Sequence, residues 1–81
     1  MNLSTLSRGR QAIVTSVEDH SPDDVISRRL RDVGFVEGEA VRVLPYGPLG
    51  GEPILVQVGS SRFALRRSEA ERILISEVPA S

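Results

Sequence analysis

The segment that most constrains the fold covers residues 27–43 and reads SRRLRDVGFVEGEAVRV. Its first part has the apolar spacing of a helix, and Gly34 follows at the position where a left-handed glycine ends a helix. Phe35 then takes the next position of a Schellman cap, from which it would pack on Leu30. Gly38 fits a tight turn with a positive φ before an alternating apolar run begins. The segment therefore predicts a helix, a cap, a turn and a strand in immediate succession.

The start of this helix is predicted a few residues earlier, in the sequence SPDD. Ser21 offers an N-cap hydroxyl, Pro22 suits the first helical position, and Asp23 adds a carboxylate where the helix dipole favours one. Asp24 and Arg28 are four residues apart, in the order that favours an ion pair on the exposed side. The apolar stripe of the helix is predicted to consist of Val25, Ile26, Leu30 and Val33.

Most of the remaining chain has the period of two that is typical of β-strands. Residues 11–18 alternate, and the same alternation recurs in the short runs 41–43, 54–58 and 62–66 and in the final run ILISEV. On the first strand, one side is predicted to carry Ala12, Val14 and Ser16. Ser68 and Glu71 have capping-box spacing, which predicts one helical turn before the last strand. These patterns predict about five short strands and one longer helix.

Five short antiparallel strands in so small a chain bury their edges best by curling into a barrel. We predict a mainly β fold, a small SH3-like or closely related partly open barrel, with one α-helix inserted between the first two strands. An OB-like barrel is the alternative, but it would place its helix later in the chain. A length of 81 residues predicts a single domain spanning residues 1–81.

Composition excludes several classes of function. Ten arginines against eleven acidic residues leave a formal net charge of −1, so the field of the whole chain does not drive binding to nucleic acid. No apolar run approaches the roughly 20 residues that span a bilayer, so we expect a cytoplasmic protein without membrane insertion. The absence of cysteine excludes disulfides and thiolate metal sites. One histidine in so small a domain assembles no catalytic triad, so we predict no enzymatic activity.

The segments LSRGRQAIV, RRLRDVGFVEGEAVRV, PLGGEPILVQV and FALRRSEAERILI together resemble the bacterial FeoA family over nearly the whole chain. This resemblance implies an SH3-like barrel with no enzymatic activity and no required cofactor. It also implies a role in bacterial ferrous iron uptake, in which the protein binds the cytosolic GTP-binding domain of the FeoB-type membrane transporter. The family motif falls on Leu30, Gly34, Phe35 and Gly38, which we expect to be structural, with Val33 where many members have leucine.

The candidate partner-binding residues lie on a loop and on the helix. The sequence PYGPLGGEP cannot continue a β-ladder, and as a protruding loop it would expose Tyr46 and Leu49. Arg28 and Arg31 on the helix are the second part of the predicted partner surface. Unpaired strand edges also leave room for a weak homodimer.

A candidate metal site lies just before the helix, in the sequence VEDHSPDD. The imidazole of His20 and the carboxylates of Asp19 and Asp23 are ligand types that suit a divalent transition metal. The alternative function that follows is a metal-responsive regulatory barrel of SH3-like fold. The competing interpretation is that Asp23 and the neighbouring Asp24 serve as residues of the first helical turn.

Overall fold

Five strands form one antiparallel sheet in the computed structural model of the protein, which describes residues 1–45 and 52–78. The strands are β1 (Gln11–Val17), β2 (Ala40–Val43), β3 (Ile54–Val58), β4 (Ser61–Leu65) and β5 (Ile73–Glu77). Within the same residues, the helices are α1 (Val25–Asp32), α2 (Arg67–Ala70) and a 3-10 turn, Leu3–Thr5. The predicted mainly β fold is confirmed, with its helix between the first two strands and its helical turn before the last.

The strand order is β4-β3-β2-β1-β5, so β4 and β5 are the two edges of the described sheet. Every strand contributes apolar side chains to one buried cluster, including Leu65 from β4 and Ile73 and Ile75 from β5. Side chains from opposite edges reach a common cluster only when the sheet curves around it, as the sheet of a small barrel does.

The beginning of the chain covers one of these edges. The N–H of Ile75 donates to the carbonyl of Met1 at 2.9 Å, and Asn2 forms an isolated antiparallel bridge with Leu74. Leu3 follows and is fully buried in the core cluster. The outer side of β5 is therefore hydrogen-bonded to the N-terminal residues.

Strand β1 changes its buried side partway along. Ala12 and Val14 are buried, but the next buried side chain is Val17, and Ser16 is exposed. The pairing with β5 shifts register between Val14 and Ser16, as happens when a β-bulge inserts an extra residue. The strict alternation expected for this strand is therefore wrong beyond Val14.

Helix α1 begins later than the sequence predicts. Its N-cap is Asp24, whose carboxylate accepts hydrogen bonds from the N–H groups of Ile26 and Ser27. Asp23 has a positive φ of 61°, which is incompatible with a right-handed helix. The prediction of Ser21 as the N-cap, with the next residue as the first of the helix, is therefore wrong.

The side chains of α1 also differ from the prediction. Arg28 pairs with Asp23, and Asp24 pairs with Arg72, so the expected bond between Asp24 and Arg28 is not formed. Of the predicted apolar stripe, Leu30 is buried and Ile26 is half-buried, but Val25 and Val33 are 63% and 39% exposed. In the described part of the chain, no helix is long and apolar enough to cross a membrane.

The end of α1 has both hydrogen bonds of a Schellman motif. The N–H of Phe35 donates to the carbonyl of Leu30 at 3.1 Å, and the N–H of Gly34 donates to the carbonyl of Arg31 at 3.2 Å. Gly34 has a φ of 123°, and Phe35 is fully buried in the same cluster as Leu30. Gly38, with a φ of 91°, then donates its N–H to the carbonyl of Val14 on β1 at 2.8 Å.

Helix α2 is a single turn whose N-cap is Arg66. The Glu69 carboxylate accepts a hydrogen bond from the backbone N–H of Arg66 at 2.7 Å. The capping box predicted for Ser68 and Glu71 is therefore wrong by two residues, although the predicted helical turn exists. At the next position, the N–H of Arg67 donates to the side-chain carboxylate of Glu52 at 2.7 Å.

Candidate functional site

The three predicted metal ligands lie in the loop between β1 and α1, and each contacts a different group. The His20 ring nitrogen Nε2 lies 3.2 Å from the Glu18 carboxylate. Asp19 accepts a hydrogen bond from Arg31 at 3.1 Å and another from Ser27. The remaining candidate, Asp23, forms the exposed ion pair with Arg28. Among residues 1–45 and 52–78, no three histidine or carboxylate side chains are grouped to hold a metal ion.

The fit of a divalent metal to this loop is consequently poor in the folded arrangement. Asp19 and Asp23 would have to leave their arginine partners before they could join His20 around one ion. The hydrogen bonds from Ser27 and Arg31 also lower the pKa of the Asp19 carboxyl, because they favour its ionised form. The metal site at His20, Asp19 and Asp23 stays a prediction.

Asp24 is the most heavily bonded side chain of this region. Its carboxylate accepts hydrogen bonds from the backbone N–H of His20 at 2.9 Å and from Arg72 Nε at 2.8 Å, in addition to the two N-cap amides. Its side chain is only 3% exposed and that of Arg72 12%. The hydrogen bond from Arg72, followed by that from His20, lowers the pKa of the Asp24 carboxyl despite the opposing effect of burial.

This ion pair joins parts of the chain that are distant in sequence. Arg72 also donates from Nη1 to the carbonyl of Ser68 at 2.7 Å, so it links α2 to the N-terminus of α1. In the sequence, Asp24 is already explained locally as a carboxylate of the first helical turn. Nothing in that explanation points to its distant partner, Arg72. Only the packing of α1 against α2 brings Asp24 and Arg72 together, so spacing alone could not find the pair.

Of the predicted partner-binding residues, the two helical arginines are already engaged within the chain. Arg31 donates to the carbonyl of Val17 at 2.7 Å as well as to Asp19, and it lines a shallow groove of about 350 Å³ beside Val36 at the helix exit. Arg28 is exposed and paired with Asp23. Tyr46 and Leu49 lie outside the described residues. The partner-binding role of all four residues stays a prediction.

A second set of arginines lies on the outer face of the sheet. Cross-strand pairing places four side chains in one row across β1 to β4: Gln11, Arg42, Gln57 and Arg62. A groove of about 320 Å³ beside this row is lined by residues that include Arg42 and Gln57. Another of about 230 Å³ lies toward β4. The position of Arg42 between two valines predicts that its side chain lies on the face of the sheet opposite the core. The sequence does not predict which residues of β1 and β3 pair with it.

The sequence profile of the FeoA domain matches residues 1–77. The chain belongs to the FeoA family. One similar structure is the crystal structure of the FeoA of Stenotrophomonas maltophilia in complex with zinc, described as a procaryotic SH3 domain protein. It is 55% identical, with a TM-score of 0.87, over 94% of this chain and 89% of that one. The predicted family and the SH3-like fold class are thereby confirmed.

Two further relatives extend the family assignment. The solution structure of the FeoA of Chlorobium tepidum is 40% identical, with a TM-score of 0.80, over 100% of this chain and 73% of that one. The curated relative from Porphyromonas gingivalis is a fusion of Fe(2+) transport protein A and the Fe(2+) transporter FeoB. It is 30% identical over 81 residues, and this chain spans only 9% of its length. The family is thus linked to ferrous iron transport.

Proposed function

We propose that this protein is a non-enzymatic, cytoplasmic accessory protein of ferrous iron uptake that binds the cytosolic GTP-binding domain of a FeoB-type transporter. The observation that carries this proposal is the fusion relative, in which a region similar to this chain belongs to the same polypeptide as the transporter. Fusion holds two domains at a high effective concentration, so it favours pairs that work in contact. By analogy, the separate chain would have to form that contact by binding.

The accessory role also agrees with the chemistry of the described surface. The grooves on the sheet and at the helix exit are open and shallow, and they suit a protein surface better than a small substrate that needs an enclosed cleft. His20, the one histidine in the sequence, has its ring beside Glu18 on an exposed loop. These features of the described surface favour binding to another protein over catalysis.

The experiment that tests this role measures binding and transport together. The purified chain is titrated into the cytosolic domain of the transporter from the same organism, with and without guanine nucleotide, and the heat of binding is recorded. In parallel, ferrous iron uptake is measured in cells that lack this chain and in cells to which it is restored. We expect saturable binding and restored uptake. No binding in either nucleotide state, together with unchanged uptake, would refute the proposal.

Binding of a divalent metal is the second candidate function, and it is favoured by the zinc-containing structure of a relative. The three predicted ligands share one loop, although their present partners must be displaced for an ion to enter. Anoxic calorimetry with ferrous ion on the wild type and on His20→Ala tests this candidate. A binding isotherm that disappears in the variant would support a regulatory metal site, and identical flat traces would end it.

A further inference from the structure

We propose that β4 is a docking edge, at which an extended acidic segment of a partner protein adds as the next strand of the sheet. The natural partner would be the cytosolic part of the transporter, so its identity rests on the proposed function. Strand addition of this kind combines backbone hydrogen bonds with pockets for alternate side chains. Four features of the described chain support it: an uncovered edge, outward backbone groups, an adjacent apolar groove and unpaired arginines.

The two edges of the sheet differ in what covers them. Along β5, Met1 and Asn2 supply a hydrogen bond and a β-bridge. Along β4, no residue of the described ranges 1–45 and 52–78 pairs with the side that faces away from β3. An edge strand whose backbone groups are unpaired is a template for another strand.

The direction of the free backbone groups follows from the pairing pattern. The carbonyl of Leu55 on β3 accepts a hydrogen bond from the N–H of Leu44 at 2.8 Å, so it points away from β4. Leu55 and its partner on β4, Ala64, therefore form a non-hydrogen-bonded pair. The N–H and C=O of Ala64 consequently point away from β3. The same alternation applies to Arg62, two residues earlier. Both residues are exposed, so an incoming strand can reach their backbone groups.

An apolar groove lies directly beside these backbone groups. Its volume is about 230 Å³, and it is lined by Leu44, Leu55, Arg62, Phe63 and Ala64. Arg62 and Ala64 are two residues apart on an extended strand, so their side chains share the outer face of the sheet. A strand added along β4 would therefore place alternate side chains next to Arg62 and next to the apolar groove.

The charge of this edge indicates an acidic occupant. Arg62 and Arg42 share one cross-strand row, and the extended Arg66 continues the alternation of β4. None of these three guanidinium groups has a carboxylate within 4.0 Å among the described residues, whereas Arg28, Arg31 and Arg72 each pair with an aspartate. The best complement is an extended segment with acidic, apolar and acidic side chains at every second position.

Two other occupants fit this edge less well. A second copy of the chain, paired through β4, would bring two Arg62 side chains onto one face of the joined sheet without adding a carboxylate. A nucleic acid would meet a chain whose formal net charge is −1 and would leave the apolar groove unused. Both are distinguishable outcomes of the tests below.

The first test needs no transporter. A short synthetic peptide, Glu-Thr-Leu-Thr-Glu, is added in excess to the labelled chain, and backbone amide shifts are followed by NMR. We expect shifts concentrated at Arg62 and Ala64, and a matched peptide with lysine in place of glutamate should shift them far less. Equal effects of both peptides, shifts confined to β1 or β5, or no shifts at all would overturn the docking edge, as would preferential shifts with an oligonucleotide.

The second test uses the cytosolic domain of the transporter. Arg62→Glu should weaken its binding by at least about tenfold, because the variant places a like charge against the acidic segment. Arg29→Glu is the matched control, since Arg29 is an exposed arginine of α1 that does not line the groove beside β4, and it should change the affinity less than about twofold. In the wild-type complex, amide exchange at Arg62 and Ala64 should slow by at least about tenfold.

The outcomes separate this inference from the proposed function. Peptide binding at β4 without any transporter binding would refute the proposed function and leave the docking edge supported. Transporter binding that Arg62→Glu does not weaken, with no protection of the Arg62 and Ala64 amides, would overturn the docking edge and leave the proposed function intact. A concentration-dependent dimer abolished by Arg62→Glu would identify a second copy of the chain as the occupant and would also overturn it.

Discussion

Asp24 shows how one carboxylate can carry several structural tasks in a small domain. It caps α1, fixes the preceding loop through the N–H of His20, and pairs with Arg72 near α2. If the Asp24 carboxylate were removed, each of these donors would lose its acceptor. Water would replace that acceptor poorly, because the side chain is only 3% exposed. A domain of this length has little stability in reserve, so loss of this residue should affect the whole fold.

Asp24→Asn should lower stability at neutral pH and should remove an acid-dependent component of it. The pKa of the Asp24 carboxyl is lowered in the folded state, so its ionised form contributes stability above the ordinary carboxyl pKa of about 3.9. That contribution is lost as the pH falls below this value toward the lowered pKa. Urea unfolding of wild type and variant at about pH 7, 5 and 3 should show a gap between them that narrows on acidification.

Asp32→Asn is the matched control for this prediction. Asp32 ends the same helix, is exposed, and forms none of the salt bridges found in the described chain. Its urea midpoint should follow that of the wild type at each pH. A gap between wild type and Asp24→Asn that stays constant down to about pH 3 would contradict the role given to the charge.

Gly34→Ala should destabilise the protein through the backbone alone. Gly34 has a φ of 123°, and a Cβ built there meets no heavy atom within 4 Å, so steric crowding adds nothing. Forcing an L-residue into positive φ costs roughly 1–2 kcal/mol, and the free energy of unfolding should fall by about that amount. Asp32→Ala, two residues earlier, should change it by less than about 0.5 kcal/mol, and equal stabilities for both variants would refute this account.

The sequence was most informative about residues whose role is local. The pattern predicts a helix cap at Gly34 and Phe35 with Leu30, and both Schellman hydrogen bonds are formed there. It was least informative about Asp24, because a carboxylate near a helix start already has a sufficient local explanation. Its partner Arg72 is 48 residues away, and such a pairing depends on packing that no spacing rule contains.

The connection from α1 to β2 positions the largest side chain of the core. The Schellman turn directs Phe35 inward, where it is fully buried and its ring centroid lies 5.7 Å from that of Phe63 on β4. Gly38 then bonds to the carbonyl of Val14, which attaches the turn to β1 before β2 begins. Helix exit, aromatic anchor and strand entry therefore depend on one another.

Phe35→Ala should be among the most damaging single substitutions. Truncating a fully buried phenylalanine removes its burial and leaves a cavity, which together cost about 3–5 kcal/mol. Phe35→Leu keeps most of the volume and should cost distinctly less. Thermal and urea unfolding of both variants, with the half-exposed Val36→Ala as a control that changes little, checks the order. A Phe35→Ala protein as stable as Val36→Ala would contradict the packing described here.

Elements were predictable where a single period dominates, and their boundaries were not. The alternation of β2, β3 and β4 follows the printed sequence closely, because each of these strands buries one side only. In β1 a bulge between Val14 and Ser16 changes the register, and a bulge leaves no mark in an alternating pattern. The sequence places the start of α1 too early, because Pro22 suits a turn as well as a first helical position.

At the scale of the whole molecule, the N-terminal residues contact the last strand of the sheet. Leu3→Ala should loosen this arrangement, because Leu3 is fully buried next to the segment that covers β5. We expect a loss of about 2–5 kcal/mol and, in sedimentation experiments, concentration-dependent self-association through the exposed strand edge. Ser7→Ala, at an exposed position just after the same turn, is the control and should stay monodisperse. A destabilised variant that stays equally monodisperse would refute the covering role of the N-terminal residues.

The unequal covering of the two edges limits the stoichiometry of any assembly built by strand pairing. A sheet that can be lengthened at both ends can polymerise without limit, whereas one sealed along β5 has a valency of one. Its assemblies terminate after a single addition, as a one-to-one complex or a closed pair. The N-terminal residues that cover β5 therefore prevent fibre growth by strand addition. The protein can keep one strand edge free for pairing without polymerising.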